Sequence, residues 1–333
     1  MLACKTNIHY KCRDSLVFKV IPADRAIWNQ NELIDFLIEH QHTDIVLSTN
    51  SEGPDCAILG LYTLLDKFNF KSVSIHTANP LEKSNKYNII SKSLLWAQVR
   101  KPIDAKYHIW TQDRVFSAYY GRPLWHRMGL ASYLKTQHND ISYVNLRGDY
   151  HLDESRRNFE LTDLFFNAPD QLLNFSNISS QLPLMVETID GYTPGVTDTS
   201  GFTDQLVEFY TKVLIDIVAE TFTSGNTFFP TEKTFRPILM KKPFIVMGPI
   251  NYLIYLRQMG FKTFFEYWDE EYDGYGPRIK FQKIIKLIDD LSNKPKSELY
   301  SMYQSMQPIL EHNYNLLVSK TYNRNINSKF LFD

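Results

Sequence analysis

The sequence predicts an α/β protein of two Rossmann-like domains, and three observations carry that expectation. Strand and helix patterns alternate along most of the chain, which is the order of parallel βαβ units. The length of 333 residues suits two domains better than one. A content of 44% hydrophobic and 14% aromatic residues supplies substantial cores. The 36 basic and 37 acidic residues leave a net charge of -1, which argues against a uniformly basic nucleic-acid coat but leaves room for a local basic groove.

The first domain is expected over residues 1–104. SLVFKVIP at 15–22 reads as a buried strand, and 31–41 has helical spacing at Leu33, Phe36 and Leu37. A strand is expected at 44–49, then a turn-rich loop, a helix over 56–68 and a strand at 71–77. Ligands of such units gather at the carboxyl ends of the strands, where the loop bearing Glu52 and Asp55 lies.

The second domain is expected over 105–333. Strands are predicted at 107–112 and 115–120, followed by a helix to about Lys135 with Pro123 in its first turn, where a missing N–H costs nothing. Another strand is predicted at 140–146. From Asp149 to Ser200 the text is polar and interrupted, with two helical stretches and the turn-like YTPG at 192–195, and reads as an irregular surface connection. A strand at 210–221, a helix from about Thr231, a strand at 243–248 and a helix ended by Gly260 come next, with two amphipathic helices to finish.

Cys4, Cys12 and Cys56 are odd in number and match no metal spacing, which fits a reducing cytoplasm. The first residues lack the apolar region of a signal peptide, and no stretch approaches the roughly 20 apolar residues of a spanning helix. The expectation is a cytoplasmic protein without membrane insertion.

The most informative segment runs from Glu220 to Gly248. A strand feeds a loop, and the loop opens a helix with Thr231 as N-cap, so that unpaired amides and the positive end of the helix dipole offer an anion site. Lys233 and Arg236 add full positive charges beside it. Taken alone, Thr231, Glu232 and Lys233 read as a helix cap with a solvated ion pair; the surrounding text changes that weight. The tripeptide resembles the Tyr-x-Thr-Glu-Lys element of α1,3-fucosyltransferases, with Glu220 standing where they carry the Glu of Phe-Glu-Asn-Ser. VFSAYYGRPLWHRMGLASYL at 115–134 is similar to their strand and Arg-bearing helix, Arg127 lying seven residues before Leu134. FFPTEKTFRPILMKKPFIVMG with NYLIYLRQMGFKTF is closer still to a group of phage-encoded glycosyltransferases. The Asn-Ser after Glu220 is missing and no fucosyltransferase acceptor domain is recognisable, so fucose does not carry over.

The resemblance implies a GT-B-like architecture, two Rossmann-like domains facing across a cleft, with the acceptor on the first and a nucleotide-sugar, a UDP-sugar by expectation, on the second. It implies that Lys233 and Arg127 bind the donor diphosphate and that Glu232 and Glu220 reach ribose or sugar hydroxyls. Thr231, Thr234, Arg122 and Arg236 complete the expected donor set. Preorganised cations stabilise the charge that a leaving diphosphate gains. No Asp-x-Asp follows an apolar strand, and the acidic run at 268–274 reads as a solvated turn, so metal-independent chemistry without a cofactor is expected.

A base must accept the acceptor's hydroxyl proton. Asp55, Glu52 and Asp113, each read as lying after a strand, are the candidates, with Asp55 equally suited to cap a helix. The phage resemblance raises 5-hydroxymethylcytosine in double-stranded DNA as acceptor, for glucose, arabinose or a similar sugar, with Lys67, Lys71, Lys83, Lys86 and Lys92 lending positive charge. The rival readings are transfer to a glycan, lipid-linked sugar or protein, and a non-catalytic nucleotide-binding protein.

Overall fold

The computed structural model describes residues 17–20, 30–49, 53–91, 102–147, 154–185 and 204–322. The chain divides into two compact units, one made of Met1–Leu94 with Gly225–Phe229, the other of Leu95–Ser224 with Pro230–Asp333. Both are α/β. Among the described residues no helix is long and apolar enough to cross a membrane.

The first unit holds β1 (Val17–Val20), α1 (Gln30–Glu39), β2 (Asp44–Ser48), α2 (Leu61–Leu65), β3 (Ser72–Thr77) and β4 (Asn88–Ser91). The strands are parallel and follow chain order, β1-β2-β3-β4, without a reversal. Leu33 and Leu37 of α1 pack with Ile45, Leu47, Val73, Ile75 and the α2 leucines into one core. The expected helix over 56–68 is broken by Gly60, whose left-handed φ of 73° separates a turn at 56–60 from α2. Cys56 is a buried free thiol in that turn. Its backbone amide donates to the Glu82 carboxylate at 3.0 Å, and burial, then the Glu82 charge, pushes the thiol's pKa up.

The second unit holds β5 (Phe116–Tyr120), α3 (Trp125–Gln137), β6 (Ser142–Leu146), α4 (Glu154–Asn167), α5 (Asp170–Ser179), α6 (Asp204–Tyr210), β7 (Ile215–Ala219), α7 (Glu232–Leu239), β8 (Phe244–Met247), α8 (Tyr252–Gln258), α9 (Pro277–Ser292), α10 (Lys296–Ser305) and α11 (Gln307–Tyr322). All four strands are parallel, in the order β6-β5-β7-β8. β5 and β7 are buried at every position, as strands covered on both faces must be. The order reverses between β5 and β7, and that switch point is where doubly wound sheets open a crevice at their carboxyl ends.

Several elements differ from expectation. No strand forms at 107–112: Asp104 caps a 3-10 turn at Ala105–Tyr107, and Trp110 is drawn onto Tyr300 and Tyr303 of α10. The expected strand at 210–221 begins only at Ile215, because Tyr210 closes α6. Pro123 lies before Leu124, the N-cap of α3, and not in its first turn. Three helices finish the described chain where two are expected, with Pro295 at the start of α10 and Pro308 in the first turn of α11. The YTPG turn lies outside the described residues, while the two helical stretches before it form α4 and α5.

Two buried lysines tie the second unit together. Lys242, with no exposed surface, donates to the Ile109 carbonyl at 2.6 Å, and burial lowers its pKa well below the ordinary lysine range. Lys280 of α9 donates to the carbonyls of Gly248 and Pro249 at 3.0 and 2.7 Å and pairs with Asp273 at 3.2 Å, which fixes the loop after β8.

Candidate functional site

Parallel strands place their carboxyl-end loops side by side, so the switch point gathers the loop after β5, with Arg122, and the loop after β7, with Glu220. The ladder between β5 and β7 runs through Phe116↔Ile215 and Ser117↔Asp216. Beyond it, the Tyr120 hydroxyl donates to the Ile217 carbonyl at 2.8 Å and Arg127 Nε to the Ala219 carbonyl at 3.3 Å. Side chains therefore close the seam where backbone amides no longer do.

Arg127 is 2% exposed. Its other nitrogens donate to the carbonyls of Arg122 and Glu220, each at 3.3 Å. His126 Nε2 donates to the same Glu220 carbonyl at 2.8 Å, and burial, then the Arg127 charge, holds the imidazole neutral. The guanidinium thus bridges the loops after β5 and β7 from inside the fold, and presents no open face to a ligand.

The Glu220 carboxylate is engaged as fully. It accepts from Thr231 N at 3.0 Å, Thr231 Oγ1 at 2.7 Å, Thr234 Oγ1 at 2.6 Å and the Tyr252 hydroxyl at 3.0 Å. Thr231 caps α7 as expected, its hydroxyl accepting from Lys233 N at 3.3 Å. The start of α3 has a similar arrangement: Leu124 offers no side-chain cap, and Trp125 N donates to the buried Glu160 carboxylate of α4 at 2.8 Å. The expectation of unpaired amides at the start of α7 is corrected here, since Thr231 N and Lys233 N have internal acceptors. A ligand anion at this edge has to be held mainly by side chains.

Those side chains are cationic. Lys233 Nζ lies 2.9 Å from the Glu232 carboxylate and 3.0 Å from Thr231 Oγ1, with 15% of its side chain exposed. Arg236 is nearly enclosed and sits 3.9 Å from Glu232. Burial opposes ionisation of Glu232, but the charges of Lys233 and Arg236 outweigh it and bring its pKa down to about 2. Arg122 is half-buried on the loop after β5. Arg147, which sequence reasoning missed, stands on the loop after β6, with its amide donating to the Gly121 carbonyl at 3.3 Å. Its position just past an apolar strand was the available signal. Glu160 also escaped notice, although an acid one turn before Leu164, on the inward face of α4, marks a buried partner.

The structure thus brings Arg127, Glu220, Thr231, Glu232, Lys233, Thr234 and Arg236 into one network at the carboxyl edge of the second sheet, joined through the Arg122 carbonyl to the loop after β5. Asp113 does not belong to it. Without the strand at 107–112 it precedes β5, at the opposite end of the sheet, where it accepts from the Tyr143 hydroxyl at 2.7 Å and pairs with Arg114. In the first unit, Asp55 Oδ1 accepts from the amides of Ala57 and Ile58, and Oδ2 from that of Asn226 at 2.6 Å. Asn79 and Gly53 also hold the segment 225–229, through Phe228 N and the Thr227 hydroxyl. Glu52 and Lys92 lie outside the described residues. Lys71 and Lys86 are in surface ion pairs with Asp44 and Asp66. Among the described residues, no three His, Cys, Asp or Glu side chains group as metal ligands.

No protein family, curated protein or solved structure matches this chain.

Proposed function

We propose that the chain is a glycosyltransferase whose second unit binds a nucleotide-sugar at the carboxyl edge of the sheet, around Lys233. The observation that carries this reading is the placement of Lys233: an ammonium with part of its surface open, fixed beside a capped helix start at a switch point. In this reading Lys233 meets the diphosphate and stabilises the charge that the leaving nucleotide acquires, with Arg122 and Arg147 lending further positive charge. Arg127 and Glu220 act indirectly by fixing the loops that carry these groups. A GT-B-like division of labour assigns the acceptor to the first unit. 5-Hydroxymethylcytosine in DNA is the acceptor proposed, on the sequence resemblance, with a UDP-sugar as donor.

The test has two steps. Nucleotide-sugars are first screened by thermal shift, a ligand at 100 times its Kd being expected to stabilise by about 2.7 kcal/mol. The stabilising donor is then incubated with DNA containing 5-hydroxymethylcytosine, and the digest is weighed for an added pentose or hexose. Transfer to a glycan, lipid or protein acceptor instead would redirect the acceptor assignment. A second reading, a protein that binds a nucleotide without transferring its sugar, is favoured by the place of Asp113, a candidate base that lies at the end of the sheet opposite Lys233. Stabilisation by nucleotides without transfer to any acceptor would select it.

A further inference from the structure

Beside the loop after β8, where the Asn251 and Leu253 amides donate to Asp273, α8 and the segment after it frame an open groove of about 740 Å³. Its apolar walls are Ile254, Phe265 and Tyr275, with 40%, 61% and 38% of their surfaces exposed. Large apolar side chains left in water around one concavity mark a binding surface. The floor is internally neutralised: Glu270 accepts from Phe264 N at 2.7 Å and pairs with Arg257 at 3.1 Å. The rim is not. Asp269 and Glu271 stand exposed on it, with Lys283, 3.7 Å from Glu271, in partial compensation.

The position of Lys283 shows which chemistry this rim accepts. Its ammonium lies 4.9 Å from the centre of the Tyr275 ring and 3.7 Å from the Glu271 carboxylate. An aromatic face beside a carboxylate holds an alkylammonium by combined cation-π and ionic attraction. Asp269 and the exposed Phe265 ring line the same groove, so a carboxylate and an aromatic ring are again present together. An acidic rim over apolar walls repels phosphate-bearing partners and complements a positive charge flanked by apolar side chains. We propose that this groove docks a basic peptide segment of a partner protein, in which lysine or arginine alternates with large apolar residues.

Fluorescence anisotropy of a labelled peptide alternating Lys with Leu and Phe, titrated with the full chain, tests this. Saturable binding is expected for the basic peptide and none for a control with Glu in place of Lys. Phe265→Ser, and separately Asp269→Asn combined with Glu271→Gln, should each weaken binding by about fivefold or more. All three are exposed positions, and an unchanged circular dichroism spectrum and melting curve confirm that the variants fold. Unaltered affinity in both variants, equal binding of the Glu control, or the absence of saturable binding would overturn the proposal. So would complete competition by spermidine at the peptide's own concentration, which would assign the groove to a small polyamine.

Discussion

Arg127 and Glu220 meet at 3.3 Å through the Glu220 backbone carbonyl, while the Glu220 carboxylate faces the start of α7, so one residue is gripped at both ends. Replacing Arg127 by Ala removes donors from the carbonyls of Ala219, Arg122 and Glu220 in a buried setting. The expected loss is about 2–4 kcal/mol of stability, read from urea unfolding with and without nucleotide. An unchanged midpoint together with lost nucleotide binding would place the guanidinium on the ligand instead.

Glu220→Gln keeps the shape but turns an amide toward groups that all donate. Stability should fall by about 1–3 kcal/mol, and Tyr252→Phe, which deletes a single donor, should cost about 1 kcal/mol. The comparison of the two melting curves checks this. Equal losses would mean that the carboxylate is not the hub.

Lys233→Ala is expected to lower the melting temperature of the free protein only modestly, because Glu232 keeps Arg236 as a partner when Lys233 is lost. Nucleotide-dependent stabilisation and transfer should both collapse. Transfer within about threefold of wild type would remove Lys233 from the transition-state interactions, since that factor corresponds to well under 1 kcal/mol.

Asp216 supplies a pH test. Burial raises its pKa to about 6, against the bonds from Tyr210 and Ser117 and the Arg236 charge, which work to lower it. A carboxyl with a raised folded pKa binds more protons folded than unfolded, so its contribution is complete below the unfolded value and is lost as pH rises through the folded one. The loss should be about 3 kcal/mol across that window, spread between about pH 4 and pH 6. Unfolding free energies of wild type and Asp216→Asn, measured in parallel over that range, should diverge in slope. Parallel slopes would count against the assignment.

Gly53 tests the first unit. Its φ of +58° is left-handed, and a Cβ there would come within 2.4 Å of the Asn79 amide nitrogen. Gly53→Ala should therefore lower hydrogen-exchange protection in β2 and β3 by an amount equivalent to at least about 2 kcal/mol. Protection in β5 and β7 serves as the internal control.

What the sequence disclosed was periodicity. Leu33 and Leu37 at helical spacing, and the apolar runs at 44–48 and 244–247, announced their elements because burial alone sets those patterns. The stretch at 107–112 misled because Trp110 packs against Tyr300 and Tyr303 of α10, and an apolar residue has the same appearance whether it meets a helix or a strand. The Thr231 cap was legible since capping is local. The orientation of Arg127 was not: the carbonyls of Ala219 and Glu220 lie 92 and 93 residues away, and which way an arginine turns depends on whether distant backbone groups lack donors. Asp216 was hidden for the same reason, since Tyr210 and Ser117 reach it from other elements.

The enclosed amine of Lys242 makes the second unit a chemical clock of its own integrity. Burial shifts Lys242 toward the uncharged, nucleophilic form of lysine, and the surrounding wall keeps an acylating reagent away from it. Exposed lysines such as Lys262 and Lys286 meet the reagent from the start, whereas Lys242 can react only after the segment carrying Ile109 or the helix carrying Tyr303 lifts away. The rate at which its peptide gains mass thus counts openings of the wall around Lys242, without any knowledge of what the protein binds.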